Sequence, residues 1–379
     1  MFIKMLEDKK MSLFQTFIQK IGIVVLVLGI SGSALAADFE SIKALAESGD
    51  VNAQLELAEK YEALEKLDSE VVNFEPQELY YEGKAVDKNA KKSLSWYLKA
   101  AKQGNAVAQA KVGGIYHDGI HVKLDYSEAF KWYQKAIKEN VAEAQFGLGL
   151  IYAYGNEVPK DPEKSKYWLT KAAEQNYVPA LFNLAYEYHG HYDDHESQIK
   201  ALELFKKMAN GDDPNDEYVV RSQYALGFMY YDSYGTEEDY QKSAYWYQKA
   251  AEHRHTSAQT ELARMYSRGE GEGVAQSHDE SIKWYKKAAN QGSLLAQTGL
   301  AMMYYDGEDV AQDYTQAFKW LNKIVESGKD DYSIQLMLAS LYLNGDGVTQ
   351  NDAEATKWYA KACQNGNRYG CIQYRELTQ

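Results

Sequence analysis

All seven tryptophans of the chain stand in one phrase, W-[YL]-x-K followed by small or apolar residues: Trp96, Trp132, Trp168, Trp246, Trp284, Trp320 and Trp358. Their spacings are 36, 36, 78, 38, 36 and 38 residues. The long interval holds one more copy, ALELFKKMA (201–209), with Leu204 at the tryptophan position. A second phrase, L-G-x-x-Y or L-A-x-x-Y, precedes each box, as in Leu148-Gly149…Tyr152 and Leu300-Ala301…Tyr304; Val112-Gly113…Tyr116 is a variant. From its tyrosine to the box position is 16 residues in every copy but one. A register held from residue 96 to 358 points to a repeat array, in which each unit buries its apolar face only against its neighbours.

Each period reads as two helices. In AEAQFGLGLIYAYG (142–155), Ala144, Leu148, Ile151 and Tyr152 recur at three-to-four spacing, and Gly155 sits at a C-cap position. The second helix opens on the capping boxes DYSE (125–128), SHDE (277–280), DYTQ (313–316) and NDAE (351–354), while Asp161-Pro162 places proline at the first helical position. With only 5 prolines in 379 residues, little interrupts these helices. The small residue after the leucine is expected to let paired helices approach, and the tryptophan to fill the space between one pair and the next. A single box such as KWYQKAI (131–137) suggests an aromatic ligand site, but its return in every period makes it the mortar of the array.

The two phrases and the period together resemble the Sel-1-like repeat family, relatives of the tetratricopeptide repeats, over residues 41–379. The resemblance implies an all-α fold, an α-solenoid of antiparallel helix pairs wound as a right-handed superhelix. Residues 37–379 then form a single solenoid of about eight repeats. Residues 37–85 hold an N-terminal cap and an insertion, 86–362 the regular repeats, and 363–379 a C-terminal cap. The insertion runs through 67–85, and GDDPNDE (211–217) lengthens one inter-repeat loop. SIKALAESGDVNAQ (41–54) reads as a box helix that has lost its tryptophan.

Residues 1–36 read as a signal peptide. Lys20 precedes the apolar run IGIVVLVLGI (21–30), and SGSALA ends in the small pair Ala34 and Ala36 of a cleavage site. That run is too short to span a bilayer comfortably, and no other segment is apolar enough to cross one. Cleavage near Ala36 would release a periplasmic or secreted chain and move its formal charge from −14 to −16. Such a surface repels phosphate backbones and anionic lipid, so nucleic acid is a poor partner and a basic protein is mildly favoured.

The only cysteines, Cys363 and Cys371, flank a turn in ACQNGNRYGC. In cysteine-rich members of the family the same interval marks a disulfide joining successive helices, so the resemblance implies that bond here, and export would supply oxidising conditions. A pair of buried free thiols is the alternative, while the spacing departs from the C-x-x-C of redox sites.

Candidate chemistry is sparse. YHGHYDDHE (188–196) brings His189, His191 and His195 near Asp193 and Asp194, a donor set that could hold zinc or copper if the loop folded onto itself. It falls in a helix–helix turn, where polar residues belong anyway, so no metal and no cofactor is assigned. Some cysteine-rich relatives have been associated with penicillin binding, but the one S-x-x-K, Ser197–Lys200, lacks S-D-N and K-T-G companions. Ser197 is expected instead to cap its box helix. With no zincin, hydrolase or phosphate-loop motif, the chain is not read as an enzyme.

If tetratricopeptide geometry carries over, residues two before and two after the conserved leucine, with others a turn later, face a concave groove. These are Phe146, Leu150 and Tyr154, then Phe182, Tyr186 and His189, then Tyr224, Phe228 and Tyr231, and later Arg264, Met302 and Tyr305. The expected function is a non-enzymatic scaffold of the bacterial cell envelope that grips another protein, whether an envelope protein, a host protein or a toxin effector. One alternative is an immunity protein neutralising a periplasm-directed effector such as a lipase; a weak β-lactam-binding enzyme ranks below both. That the aromatics merely complete helix packing stays equally open.

Overall fold

The computed structural model describes residues 32–72, 83–120, 122–211, 216–270, 273–307 and 310–379, with side chains from residue 38 onward except those of 64–89. The signal-peptide reading therefore lies outside the described residues apart from the backbone of 32–36, as does 73–82 of the insertion. Among the described residues every regular element is helical. The chain divides into two compact units, 1–180 and 181–379.

The first unit contains α1 (Gly32–Glu47), α2 (Val51–Val72), α3 (Gly83–Lys102), α4 (Ala106–Asp118), α5 (Tyr126–Ala136), α6 (Ala142–Tyr154) and α7 (Pro162–Glu174). The second begins within α8 (Val178–His189) and continues through α9 (His195–Ala209), α10 (Glu217–Tyr231), α11 (Tyr240–Glu252), α12 (Thr256–Arg268) and α13 (His278–Asn290). It ends with α14 (Leu294–Asp306), α15 (Tyr314–Glu326), α16 (Tyr332–Asn344), α17 (Asp352–Gln364) and α18 (Arg368–Thr378). Even-numbered helices from α2 to α16 carry the leucine phrase, in its valine variant in α4, and odd-numbered ones from α3 to α17 carry the box. Within each unit a helix packs on its sequence neighbours, and first helices of successive pairs also touch, α4 on α6 and α10 on α12. This is the nearest-neighbour arrangement of a solenoid.

The boundaries follow the caps. The side chains of Asp125, Ser277, Asp313 and Asn351 each accept from the backbone N–H three residues on, and Asp161 does the same ahead of Pro162. The first helix of the pair stops where Gly155 takes φ 76°, returning its N–H to the Ile151 carbonyl, a conformation that costs any residue with a Cβ. One cap differs from expectation. Helix α9 starts at His195 and is capped by Asp194, not Ser197; the Ser197 hydroxyl lies one turn inside and donates to Asp194 Oδ2 at 2.6 Å. Cys363 and Cys371 form a disulfide between α17 and α18, with Cα atoms 4.5 Å apart. Closing a separation of 8 residues stabilises the terminal pair by about 2–3 kcal/mol in the chain-entropy account.

The core reassigns roles inside the box. The indoles do bridge pairs: Trp96 packs on the core of α1 and α2, and Trp132 on that of α3 and α4. Yet the residue after the tryptophan position is buried in every copy, at Tyr97, Tyr133, Leu169, Phe205, Tyr247, Tyr285, Leu321 and Tyr359, whereas Trp96, Trp168, Trp246 and Trp358 are half-buried; only in the Trp284-Tyr285 box does the indole lie deeper. The small residues make room for these side chains. A Cβ on Gly113 would stand 2.6 Å from the Tyr133 ring, one on Gly147 would overlap the same ring, and one on Gly149 would meet Leu169 at 2.8 Å. The glycine after the leucine thus opens a slot for the box residue of its own pair.

Candidate partner-binding surface

Five boxes are covered by their own cation. The lysine three residues after the tryptophan sets its ammonium 3.4 Å from the ring centre at Lys99–Trp96, 3.8 Å at Lys135–Trp132 and 3.9 Å at Lys287–Trp284. Lys323–Trp320 and Lys361–Trp358 repeat it at 4.5 and 5.1 Å. Spacing of three on a helix brings the two side chains onto one face, and the ring quadrupole holds the charge. An indole already roofed in this way is part of the framework and not a receptor.

A recurring glutamine three residues before the leucine position escaped the sequence reading. Gln54, Gln109, Gln223, Gln259 and Gln297 are buried and donate through Nε2 to the carbonyls of Ala46, Ala101, Ala209, Ala251 and Ala289, at the end of the preceding odd-numbered helix. The amide oxygens of Gln54 and Gln259 receive a further donor from Gln103 and Gln291, where the next box ends in an amide; Gln145, which stands at the same position but donates to Asn140, likewise accepts from Gln175. The carbonyls of Ala46, Ala101, Ala251 and Ala289 also accept a turn N–H, so there the glutamine supplies the second donor to a helix-end carbonyl. The signal, a small residue followed by glutamine three positions ahead of the leucine (Ala-Gln in four of these copies and Ser222-Gln223 in the fifth), was present in the sequence.

The proposed groove residues are placed unevenly. In the first unit Phe146 and Leu150 are half-buried, Phe146 against Tyr177 at 5.5 Å, and Tyr154 is 71% exposed. In the second unit Phe182 and His189 lie inside, at 6% and 8% exposure, while Tyr186 reaches the surface. His189 Nδ1 is 3.1 Å from Gln198 Oε1, and its ring meets those of Tyr192, Phe228 and Tyr234. Arg221 stands 4.5 Å over the Phe182 ring, and Arg264 5.0 Å over Tyr231 while paired with Glu261 at 2.7 Å. Tyr231 donates to Glu270 at 2.9 Å. Tyr224, Phe228 and Tyr305 are half-buried and Met302 is exposed. Sequence reasoning missed Arg221 and Tyr218, whose rings and guanidinium join this face.

The histidine-rich turn is divided: His189 is committed to the ring cluster, whereas His191 and His195 are exposed. Among the described residues no group of three or more metal-type donors converges. Ser197 is engaged with Asp194, and Lys200 with Glu196 at 2.6 Å, a contact that holds its ammonium above the usual range and protonated. The S-x-x-K therefore presents neither a free nucleophile nor a neutral amine.

His255 caps α12, its Nδ1 accepting the Ala258 N–H at 3.2 Å, and stacks on Tyr224 at 4.6 Å. Burial, then nearby Arg221, lowers its pKa below the usual 6.5. Between the folded value and that of the unfolded chain, the unfolded chain binds more protons, so stability falls as pH drops through about 6.5. His255→Asn keeps a capping acceptor and should flatten the decline in melting temperature between pH 7 and 5. A slope identical to the parent's would remove His255 from the account.

Eight segments match the family described as Sel1 repeat: 78–105, 106–141, 142–177, 178–213, 220–255, 256–293, 294–329 and 335–367. A solved protective antigen of uropathogenic Escherichia coli strains, displaying an SLR fold, is 30% identical with a TM-score of 0.69, covering 89% of this chain and 66% of its own. A Sel1 repeat protein from Oxalobacter formigenes is 26% identical with a TM-score of 0.57, over 94% and 92% of the two chains. An immunity protein from Pseudomonas aeruginosa is 20% identical over 52% of this chain and 73% of its own, with a TM-score of 0.34, too partial a likeness to argue from. No curated protein matches. Among the described residues no helix is long and apolar enough to cross a membrane.

Proposed function

Because the chain belongs to the Sel1 repeat family, whose members are protein-interaction scaffolds, we propose that it acts without catalysis by holding another protein on the first-helix face of its second unit. The observation that carries this reading is the surface where Tyr186, 38% exposed, stands beside Arg221 with Tyr224 and Arg264 on the helices that follow. Aromatic and arginine side chains supply broad contact area at low entropic cost, and they dominate binding energy at interfaces. The Cys363–Cys371 bond and the leader reading support an oxidising location, the bacterial envelope or beyond it.

A photocrosslinking amino acid placed in turn at Tyr186 and Met302 should yield an adduct with one and the same protein. At Tyr245, exposed on box helix α11, it should yield none. Equal adducts at Tyr245, or none at the two first-helix positions, would remove the assignment. The captured protein's identity also decides between an adaptor and a neutraliser of a toxic effector.

A further inference from the structure

A cavity of about 340 Å³ opens in the first unit where α2, α3, α4 and α6 meet. Its apolar wall is Leu94, Ile115 and Ile120, and its polar lining carries three carboxylates, Glu62, Asp118 and Glu143, against one ammonium, Lys111. The cavity has a cause in the repeat. Gly114 stands two residues after the leucine position, where five later repeats place Leu150, Tyr186, Phe228, Arg264 or Met302. With no side chain there, Gly114 lines the cavity without filling it.

The carboxylates are held in place. Tyr97 donates to Glu62 at 2.6 Å, His117 Nδ1 lies 2.7 Å from Asp118 Oδ1, and Lys111 pairs with Glu143 at 3.3 Å. Burial first, then Glu62, Glu59 and Glu143, keeps the Tyr97 phenol well above its usual range.

We infer that this cavity receives a basic side chain of the partner protein, its aliphatic stem along Leu94, Ile115 and Ile120 and its cationic head among Glu62, Asp118 and Glu143. The inference rests on the proposed protein-binding role and adds a second contact point with a stated chemistry. A cavity lined by both apolar side chains and carboxylates matches a lysine or arginine, whose stem is apolar and whose tip is charged. The acidic chain, at −14, adds long-range attraction for the same kind of partner.

The probe is Nα-acetyl-arginine N-methylamide, titrated at low salt into the isotope-labelled chain while the backbone amides of Gly114 and Ile115 are followed. Saturable shifts in the millimolar range are expected, at least about ten-fold weaker for the citrulline analogue, which keeps the shape and loses the charge. Gly114→Leu should abolish them. A Cβ there meets Glu143 Oε1 and Tyr133 Oη only at 3.6 and 3.9 Å, so this variant should melt no lower than the parent. Glu62→Gln with Asp118→Asn should weaken binding by about ten-fold. Equal binding of citrulline, shifts that survive Gly114→Leu, or no saturable shift would each overturn the inference. So would tighter binding of n-butylamine than of the capped arginine, which would make this a site for free amines. Crosslinks from Tyr186 and Met302 report on the second unit and stand or fall independently.

Discussion

Tyr247→Ala lowers the stability of the second unit by about 3–5 kcal/mol, the cost of emptying a fully buried aromatic site. Trp246→Ala, one residue earlier, costs about 1–2 kcal/mol, in proportion to the smaller apolar area it withdraws from water. The difference comes from depth. Tyr247 is 1% exposed, with its ring in the slot left by Gly227 and 5.7 Å from Tyr224, whereas Trp246 is half-buried. Urea unfolding of the two variants, with midpoints compared at unchanged slope, measures the contrast. A tryptophan variant as damaged as the tyrosine variant would return the indole to the central structural role.

Gly147→Ala is the second large effect, and its sign opposes helix propensity. Alanine in a helix interior is worth about 1 kcal/mol over glycine, so on propensity alone the change stabilises α6. The added methyl would enter the Tyr133 ring, which is 3% exposed and has Gly113 against it as well. Overpacking of that kind costs about 1–3 kcal/mol, and the net result is a loss. The repeat supplies its own rescue: two boxes, Trp168-Leu169 and Trp320-Leu321, use leucine at this position. Gly147→Ala combined with Tyr133→Leu should therefore cost less than the two single changes added together. A neutral or stabilising Gly147→Ala would mean that the ring is not confined.

The helix pairs were legible because tryptophan and leucine recur at fixed spacing, and because Asp125, Ser277, Asp313 and Asn351 announce helix starts by their chemistry. Depth within the box was not legible. Periodicity names the face a residue occupies but not how far its ring penetrates, and the larger indole drew the inference away from Tyr133 and Tyr247. The Ser197 assignment failed by one helical turn, since Asp194 offered an equally good acceptor upstream. Of the residues expected on the surface, Tyr186, Met302 and Tyr154 are exposed. Phe182 and His189 did not: neighbouring rings at Tyr218 and Phe228 cover them, a tertiary contact that offsets from the leucine cannot express. The acidic cavity went unseen because its signal is a missing side chain.

The glutamine that clasps the end of the preceding helix has a consequence for how such a chain can change length. Gln259 on Ala251 and Gln297 on Ala289 make the same joint from the same atoms, at 2.9 and 3.1 Å. Every join of this kind accepts any other unit of the same kind. A duplication or loss of one whole period therefore leaves no orphaned donor at the splice, and the gene can grow or shrink by about 36 codons without inventing a new contact.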